Sequence, residues 1–313
     1  MKILVTGCCG FIGSHTCEYL LKQNEEILGI DIMNDYYDVT KKYKNLEILK
    51  KYKNFTFKKD DIITTTVVKE WRPDVICHLA SMAGVRYSIQ NPKIYVKTNI
   101  EGFINILEQA REVNVKNIVF ASSSSVYGLN KNVPFSEIDN ISMCNSPYAC
   151  SKYAMEIFGK TYNQLYGMSI IGLRFFTVYG PRGRPDMAPY KFIKAIHTET
   201  EFQKYGEGNS SRDYTYISDI VDGVVASIYN KKQISYGIYN LGNSSPINLN
   251  KFIELCEKVV GKKAIYKQIE NQLGDVPHTY ANISKAETDL DYKPKVKLED
   301  GLANMYNWFC LQN

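Results

Sequence analysis

The feature that most constrains the fold is a glycine-rich turn near the start of the chain. A short apolar run over residues 2–6 leads into Gly7, Gly10 and Gly13, and a stretch with helical character follows over residues 12–22. Glycine lets the backbone turn sharply and approach a phosphate closely, and a helix that starts there presents free amide donors. The order of strand, glycine turn and helix therefore predicts a parallel α/β sheet whose first turn binds a dinucleotide.

Asp31 indicates which dinucleotide is bound. It ends the next apolar run, which begins at residue 27. An acid about 20 residues past the glycines suits the hydroxyl groups of the adenosine ribose and repels a 2′-phosphate. The sequence therefore predicts NAD rather than NADP as the cofactor.

The alternation of strand and helix continues along the chain. Apolar runs that predict strands span residues 2–6, 27–31, 55–58, 75–79, 117–122 and 169–175, and the clearest helices span residues 92–113 and 148–166. This order predicts an α/β fold with a doubly wound parallel sheet, a Rossmann domain over residues 1–179. Residues 180–313, rich in Pro, Gly and Asn, are predicted to form mainly a smaller mixed α/β substrate-binding lobe, with some segments returning to the first domain.

Composition and the start of the chain exclude several classes of protein. The chain has 313 residues, of which 44% are hydrophobic and 23% charged, enough to bury a full α/β core. It begins directly on its first predicted strand, without a signal peptide or a membrane-spanning apolar run, so we expect a cytoplasmic protein without a membrane partner. The eight cysteines lack a Cys-x-x-Cys pair and the four histidines are scattered, which predicts reduced thiols and no metal site.

The net charge of +5 and the lysine-rich stretch over residues 41–59 raise the question of nucleic-acid binding. A basic run is more often a solvated face, and no aromatic and basic RNA-binding motif accompanies this one. We therefore expect no nucleic-acid partner. The same charge can instead steer an anionic ligand towards the protein.

Tyr148 and Lys152 predict the chemistry. Four residues apart on a helix, their side chains lie on one face and can enter the same cavity. A phenol has a pKa of about 10, and a neighbouring cation favours the phenolate. Such a tyrosine can take a proton from a sugar hydroxyl while a hydride leaves the same carbon. This spacing also occurs on ordinary helices, but next to a dinucleotide turn it predicts a hydride-transfer site.

Four serines, residues 122–125, follow the strand predicted at 117–122. Ligands of a doubly wound sheet gather at the carboxyl ends of its strands. Serines can also simply satisfy backbone groups at a strand end. Tyr148 and Lys152 favour the first interpretation, in which these hydroxyls take part in the site.

These motifs resemble those of the extended short-chain dehydrogenase/reductase family, and within it those of the UDP-glucuronate 4-epimerases. The likeness to the whole family lies at residues 6–14, 60–62, 78–80, 99, 122–128 and 148–152. The closer likeness lies at residues 34–38, 83–88, 122–128 and 172–187. Cys8 and Cys9 stand where small residues are usual, and Ser81 and Met82 replace small or polar residues.

The resemblance implies three catalytic residues, Ser123, Tyr148 and Lys152, with Ser123 three residues before Val-Tyr-Gly as the hydroxyl that hydrogen-bonds the reacting sugar oxygen. It also implies an NAD site. The residues implied to hold NAD are Gly7, Gly10, Phe11, Ile12, Gly13, Asp31, Asp61, Ile62, Leu79, Ala80, Asn99, Ser122, Tyr148 and Lys152.

A UDP-sugar substrate is implied in the same way. Arg212 resembles the arginine that binds the pyrophosphate, for which a planar guanidinium is well suited, although a surface ion pair with Asp213 would explain it too. Asp275 resembles a uridine-ribose contact. An aromatic cluster that can line the uracil site, or simply belong to the core, consists of Pro189, Tyr190 and Phe192.

Two arginines predict which sugar is bound. Arg86 and Arg184 lie in stretches that resemble those of enzymes acting on a sugar with a carboxylate at C5, and Thr177 stands where galactose epimerases carry Asn. Phosphate binding or surface pairing remains an alternative for both arginines. The oxidised sugar would be a β-keto acid, and Ser124 and Ser125 with one arginine can hold its carboxylate near the carbonyl plane, where carbon dioxide is lost less readily.

Ser124 and Ser125 also argue against related reactions. The resembling 4,6-dehydratases carry an Asp-Glu pair directly after the catalytic hydroxyl, and UDP-glucuronate decarboxylases keep a Glu there. Without that carboxylic acid, elimination lacks its general acid and base. We therefore expect 4-epimerisation of UDP-glucuronate to UDP-galacturonate.

The alternatives are a UDP-glucose or UDP-N-acetylglucosamine 4-epimerase, a decarboxylase or 4,6-dehydratase-like enzyme, a net reductase of a nucleotide-sugar ketone, and a non-catalytic NAD-binding regulator. We also expect a homodimer formed through the helices near residues 92–113 and 148–166.

Overall fold

Seven parallel strands form the central sheet of the computed structural model, which describes residues 1–141, 143–270 and 276–312. The strands of the described chain are β1 Lys2–Thr6, β2 Glu26–Asp31, β3 Phe55–Lys59, β4 Val75–His78, β5 Asn117–Ser123, β6 Ser169–Phe175, β7 Thr177–Tyr179, β8 Phe202–Tyr205, β9 Ser211–Tyr216, β10 Tyr236–Leu241, β11 Pro246–Asn248 and β12 Tyr266–Ile269. The order in the large sheet is β10-β6-β5-β4-β1-β2-β3. The predicted doubly wound sheet is confirmed.

Helices cover both faces of this sheet. They are α1 Phe11–Lys22, α2 Thr40–Leu49, α3 Val67–Trp71, α4 Val85–Gln90, α5 Pro92–Tyr95, α6 Gly102–Glu112, α7 Pro147–Tyr166, α8 Ala188–His197, α9 Ile217–Tyr229, α10 Leu249–Val260, α11 Ser284–Leu290 and α12 Leu298–Gln312. A π-helical segment, Val96–Glu101, joins α5 to α6, so the helix predicted over residues 92–113 forms in three parts. None of the described helices has both the length and the apolar character of a membrane span.

The core lies on both sides of the large sheet because side chains alternate along each strand. In β1, Ile3 and Val5 join the buried cluster on one face, whereas Leu4 joins the cluster on the other. A sheet buried on both faces requires nearly continuous apolar strands. This is why six of its strands could be predicted to within one residue at either end.

The remaining strand of the large sheet is β10, which lies late in the chain and pairs with β6, Tyr236 opposite Ile170 and Leu241 opposite Phe175. Its own residues do not identify it as part of that sheet, since its position depends on a partner more than 60 residues earlier in the sequence. The smaller sheets are β11-β9-β7 and β12-β8. They pack with α8, α10 and α12 around a separate core, in which Tyr214 stacks on Phe252 at a ring distance of 4.1 Å.

The sheet topology sets the place of the site. From β1 the chain leads to β2 and β3 on one side, whereas β4, β5 and β6 lie on the other. A crevice forms at the carboxyl ends of the strands where the order reverses in this way. The glycine turn that follows β1 lies in this crevice.

Candidate active site

The glycine turn after β1 is a tight backbone cradle. Gly7 has a φ of 70°, which favours glycine, and its amide donates to Ile30 O at 2.8 Å. A Cβ on Gly13 would lie 2.2 Å from Gly7 O, and one on Gly7 would lie 2.8 Å from Ala80 N. α1 begins directly after Gly10, so its free amides face the crevice. These residues fit a dinucleotide pyrophosphate, as the sequence predicted.

Asp31 is buried at the end of β2. Its carboxylate accepts hydrogen bonds from Cys9 N at 3.2 Å, Met33 N at 2.8 Å and Lys42 Nζ at 3.2 Å. Lys42 also donates to Asn34 Oδ1 at 2.9 Å. Sequence analysis missed Lys42, because the stretch over residues 41–59 was interpreted as a solvated surface. The helical spacing of α2 turns this one lysine inward.

A cavity of about 680 Å³ extends from Asp31 to Tyr148. We call the part beside Asp31 the adenosine end and the part beside Tyr148 the reacting end. Its wall includes all but one of the residues predicted to hold the cofactor, namely Gly7, Gly10, Phe11, Ile12, Gly13, Asp31, Asp61, Ile62, Leu79, Ala80, Ser122, Tyr148 and Lys152. It also includes five of the other predicted site residues, Ser123, Ser124, Ser125, Thr177 and Arg184. The crevice therefore brings the predicted cofactor and sugar-binding residues together in one space.

Asn99 is the one predicted cofactor residue that does not line the cavity, and it is buried. Its Oδ1 accepts from Met82 N at 2.8 Å, and its Nδ2 donates to Met82 O at 3.0 Å and to Ser151 Oγ at 2.9 Å. Met82 itself lines the cavity. Asn99 therefore ties the segment after β4 to α7 and shapes the cavity indirectly.

Tyr148 and Lys152 occupy the first turns of α7, whose start is well defined. Ser146 caps the helix by accepting from Ala149 N at 3.1 Å, and Pro147 occupies its first position. Lys152 is buried and donates to Ala121 O at 2.7 Å. The two side chains thus share the reacting end of the cavity, as their spacing predicts.

The pKa of Tyr148 differs from the expectation drawn from sequence. Burial raises it, while a hydrogen bond with Ser123 and the charge of Arg184 act in the opposite direction. Burial also lowers the pKa of Lys152 to about 7, which the charge of Glu156 opposes. The cation that opposes this rise in the pKa of Tyr148 is therefore Arg184, and sequence spacing could not reveal it.

The serines lie at the end of β5 and in the short 3₁₀ helix, Ser124–Tyr127, that follows. Ser123 Oγ accepts from Ser125 N at 3.2 Å, which caps this turn while the hydroxyl still faces the cavity. Ser122 Oγ donates to Glu156 Oε1 at 2.6 Å. The serines therefore satisfy local groups and also line the cavity.

Arg184 lies in the loop after β7 and closes the reacting end. It pairs with Asp186 through two hydrogen bonds, Nε to Oδ1 at 3.0 Å and Nη2 to Oδ2 at 2.5 Å. Its guanidinium carbon lies 5.5 Å from the ring centre of Tyr36. Tyr36 also lines the cavity and was missed by sequence analysis, since nothing in its local pattern shows that the segment after β2 reaches across the site. Arg184 supplies a positive charge next to the reacting groups.

Arg86 is not brought to this cavity. It is exposed on α4, and its guanidinium carbon lies 4.3 Å from the ring centre of Tyr205. Of the two arginines that the sequence offered for a sugar carboxylate, the structure therefore places only Arg184 at the reacting end.

The aromatic cluster predicted for the uracil site belongs to the core of the smaller lobe. Pro189 and Tyr190 are buried in α8, and Phe192 packs on Phe202 at a ring distance of 4.5 Å. Met187, which directly precedes α8, lines the cavity instead. The helical period of α8 turns Tyr190 and Phe192 into the core that α8 shares with α10 and α12.

Arg212 lies on β9, away from the cavity wall. Its Nη1 donates to Ser211 O at 2.9 Å and to Pro277 O at 3.4 Å. The neighbouring Asp213 is buried, and its carboxylate accepts from the amides of Asn243 and Ala281. Asp275 lies outside the described residues.

The chain is similar to known proteins in sequence and in fold. The family model for GDP-mannose 4,6 dehydratase matches residues 4–305. An uncharacterised protein from Methanocaldococcus jannaschii is 50% identical over 98% of this chain and 96% of its own length. A UDP-glucuronate 4-epimerase from Thermodesulfobacterium geofontis is 43% identical over 97% and 95%. The solved structure of a UDP-glucuronic acid 4-epimerase from Bacillus cereus, in complex with UDP-glucuronic acid and NAD, aligns with a TM-score of 0.95, 36% identity and full coverage of both chains.

Proposed function

Because the chain belongs to the GDP-mannose 4,6-dehydratase-like family of extended short-chain dehydrogenases/reductases, we propose that it is an NAD-dependent UDP-sugar 4-epimerase that interconverts UDP-glucuronate and UDP-galacturonate. The named relatives act on this sugar. The observation that carries the assignment to this chain is Arg184, which lines the same cavity as Tyr148 and Ser123 and bears on the pKa of Tyr148.

NAD is held along the cavity by backbone and side chains of the first domain. The amides at the start of α1 face its pyrophosphate, and Asp31 faces the adenosine ribose. A lysine at this end could attract the 2′-phosphate of NADP. The ammonium of Lys42 does not serve this purpose, because it already donates hydrogen bonds to Asp31 and Asn34. When bound, NAD would accept the hydride from one face of C4 of the sugar and return it to the opposite face of the same carbon.

Tyr148 acts as the general base and acid at the 4-hydroxyl. It accepts the hydroxyl proton during oxidation and donates it back during reduction. Ser123 hydrogen-bonds to Tyr148 in the structure, and when the substrate binds it donates its single hydrogen to the same sugar oxygen instead. Between the two half-reactions the 4-keto sugar turns about its pyrophosphate link and presents its other face.

Arg184, Ser124 and Ser125 hold the sugar carboxylate. Nε and one Nη2 hydrogen of Arg184 serve Asp186, and Arg184 also hydrogen-bonds to Tyr36, so two of its five N–H hydrogens remain for a ligand. Two such charge-assisted hydrogen bonds fix the plane of a carboxylate. Held near the plane of the C4 carbonyl, the β-keto acid keeps its carbon dioxide.

The carboxylates of the cavity disfavour elimination and decarboxylation. Among the described residues that line it, the acids are Asp31, Asp60 and Asp61, which lie at the ends of β2 and β3 beside the adenosine end. The positions after Ser123 are occupied by Ser124 and Ser125. A general acid for elimination is therefore not available beside Tyr148 in this part of the chain.

At the far end of the substrate, we assign Arg212 to the pyrophosphate and Asp275 to the uridine ribose. Residues 1–179 bind mainly NAD, and residues 180–313 bind mainly the UDP-sugar. Two facts support the assignment of Arg212. A planar guanidinium is well suited to phosphate, and Arg212 lies on β9, within residues 180–313.

The test of the proposed function incubates the protein separately with UDP-glucuronate, UDP-glucose, UDP-N-acetylglucosamine and their 4-epimers, and separates the products by chromatography. Interconversion of UDP-glucuronate and UDP-galacturonate without UDP-pentose is the expected result. A preference for an uncharged sugar, a pentose product, or net consumption of NADH would overturn it.

We also propose a homodimer formed through α7 and the helical segments over residues 92–112. These elements pack against each other, and their outer faces expose apolar side chains, among them Val96, Ile157 and Leu165, the last 66% exposed. Light scattering of Ile157→Glu tests this, with Ile138→Glu, on an exposed loop, as the control. A monomer for the first variant and a dimer for the second are expected, and a monomeric wild-type protein would refute the proposal.

We place the protein in the cytoplasm. Its eight cysteines are free thiols in the structure, including Cys150 and Cys310 at the surface. Exposed thiols persist in a reducing compartment.

A further inference from the structure

Glu156 is a buried carboxylate that the proposed reaction does not use. It lies on α7 one helical turn after Lys152 and two turns after Tyr148, so the three side chains share one side of the helix. Its carboxylate accepts from Arg174 Nε at 2.8 Å and Nη2 at 2.7 Å, and from Ser122 Oγ at 2.6 Å. The two charged side chains are only 4% and 3% exposed. An ion pair is therefore buried directly behind the reacting end.

Stability alone does not account for this pair. The cost of removing two charges from water often exceeds their attraction, and apolar side chains of similar volume are frequently as stabilising. The pair also acts on neighbouring groups, through its hydrogen bond to Ser122 and through the charge of Glu156 near Lys152.

Two contacts join α7 to the end of β5. Lys152 Nζ donates to Ala121 O at 2.7 Å, and the next residue, Ser122, donates to Glu156. The residue after that is Ser123, whose hydroxyl bonds to Tyr148. Glu156 therefore fixes the strand end that carries the catalytic hydroxyl.

The charge of Glu156 acts on Lys152. Burial lowers the pKa of Lys152 to about 7, and Glu156 raises it. The titratable groups of the other elements that face Lys152 do not compete in this role. His78 on β4 is neutral because burial and the charge of Lys152 lower its pKa to about 3, and Arg174 on β6 is held by Glu156. A lysine that titrates near neutral pH is sensitive to the loss of one nearby charge.

We propose that Glu156 is a positioning residue of the reaction, which keeps the ammonium of Lys152 charged beside Tyr148 and holds the strand end that carries Ser123. The inference rests on the proposed function for its effect on turnover. Its effect on Lys152 is a property of the protein alone and can be measured without a substrate.

The pH dependence of turnover has a definite sign. Without the negative charge of Glu156, the pKa of Lys152 falls, so Lys152 loses its proton at a lower pH. Activity that requires a charged Lys152 and an ionised Tyr148 rises with pH up to the lower of the two pKa values, which is that of Lys152, and falls above the higher one, which is that of Tyr148. In Glu156→Gln the acidic limb of the kcat profile should move to lower pH by on the order of one unit, and kcat should fall only above that limb.

Glu156→Gln leaves Arg174 buried without a countercharge and can therefore fail to fold. The double variant Glu156→Gln/Arg174→Met removes both charges and keeps the volume. A shifted acidic limb in the double variant supports the proposal. A wild-type profile there, or a uniform loss of kcat at all pH values, shows a merely structural ion pair and overturns it. Glu257→Gln, in a distant pair with Lys263, is the matched control and should keep the wild-type profile.

A direct titration separates this proposal from the proposed function. Lysine labelled with ¹³C at Cε reports the protonation of Lys152 by NMR in the purified full chain, with Lys152→Arg to assign its signal. A lower pKa of Lys152 in the double variant than in the wild type is expected, and equal values would overturn the proposal. If the wild type does not interconvert the two UDP-sugars, the proposed function fails while this titration still decides the role of Glu156.

Discussion

Replacement of Arg184 by glutamine should remove the preference for a charged sugar. The substitution keeps a polar side chain of similar reach but removes the charge and the forked donors. Asp186 then loses its partner at modest cost, because its side chain is 36% exposed and can be solvated. The effect should therefore appear in substrate binding and turnover more than in folding.

The magnitude follows from the donors that Arg184 has left after its hydrogen bonds to Asp186 and Tyr36, which are two of its five N–H hydrogens. A hydrogen bond to a charged group contributes about 1.5–3 kcal/mol. Since 1.36 kcal/mol corresponds to a factor of ten in rate, the loss of one such bond should lower kcat/KM for UDP-glucuronate by about 10- to 150-fold. UDP-glucose has no carboxylate for Arg184 to bind, so kcat/KM for this slower substrate should change far less.

The assay compares initial rates of 4-epimerisation of UDP-glucuronate and UDP-glucose by the same chromatographic separation. Arg86→Gln is the matched control, because Arg86 lies outside the cavity against Tyr205. A surface substitution of this kind should leave both rates within about twofold of wild type. Equal losses for both substrates in Arg184→Gln, or a selective loss in Arg86→Gln, would refute the assignment of the carboxylate to Arg184.

Three further predictions concern the cofactor and the proton transfer. Protein purified without added cofactor should carry NAD, assayed in the supernatant after denaturation, because an epimerase must keep its nicotinamide between two half-reactions; bound NADP would contradict the role of Asp31. Gly13→Ala should abolish NAD retention, since its methyl group would lie 2.2 Å from Gly7 O, and a full NAD content by the same assay would show that the turn tolerates it. Tyr148→Phe should lower kcat about a hundredfold or more while calorimetry shows unchanged UDP binding, and near-normal turnover would exclude Tyr148 as the base.

Much of the fold could be predicted because its signals are local. Strands buried on both faces are continuous apolar runs, and glycines mark the turn where side chains would collide. The spacing of Tyr148 and Lys152 places both on one side of a helix whatever that helix packs against. The strand β10 could not be assigned in this way, since its place beside β6 depends on pairing between distant segments.

The chemistry of the reacting end was predicted only in part. Arg86 and Arg184 lie in equally suggestive stretches, and Glu156 is an ordinary helical acid in the sequence. Whether such a side chain points inward depends on neighbours far along the chain. Glu156 is turned inward by Arg174 on β6, and Arg184 lies beside Tyr36, which comes from the segment after β2.

The sequence by itself therefore determined the class of fold, the cofactor turn and the Tyr148 and Lys152 pair, because each rests on signals that lie within one element or between neighbouring elements of the chain. Only the tertiary structure decided which of the remaining polar side chains share the cavity. It brought Arg184 to the reacting end and left Arg86 at the surface, and it buried Tyr190 and Phe192 in the smaller core. The physical reason is that burial and electrostatic coupling depend on distances between elements, and these are set only when the strands and helices pack together.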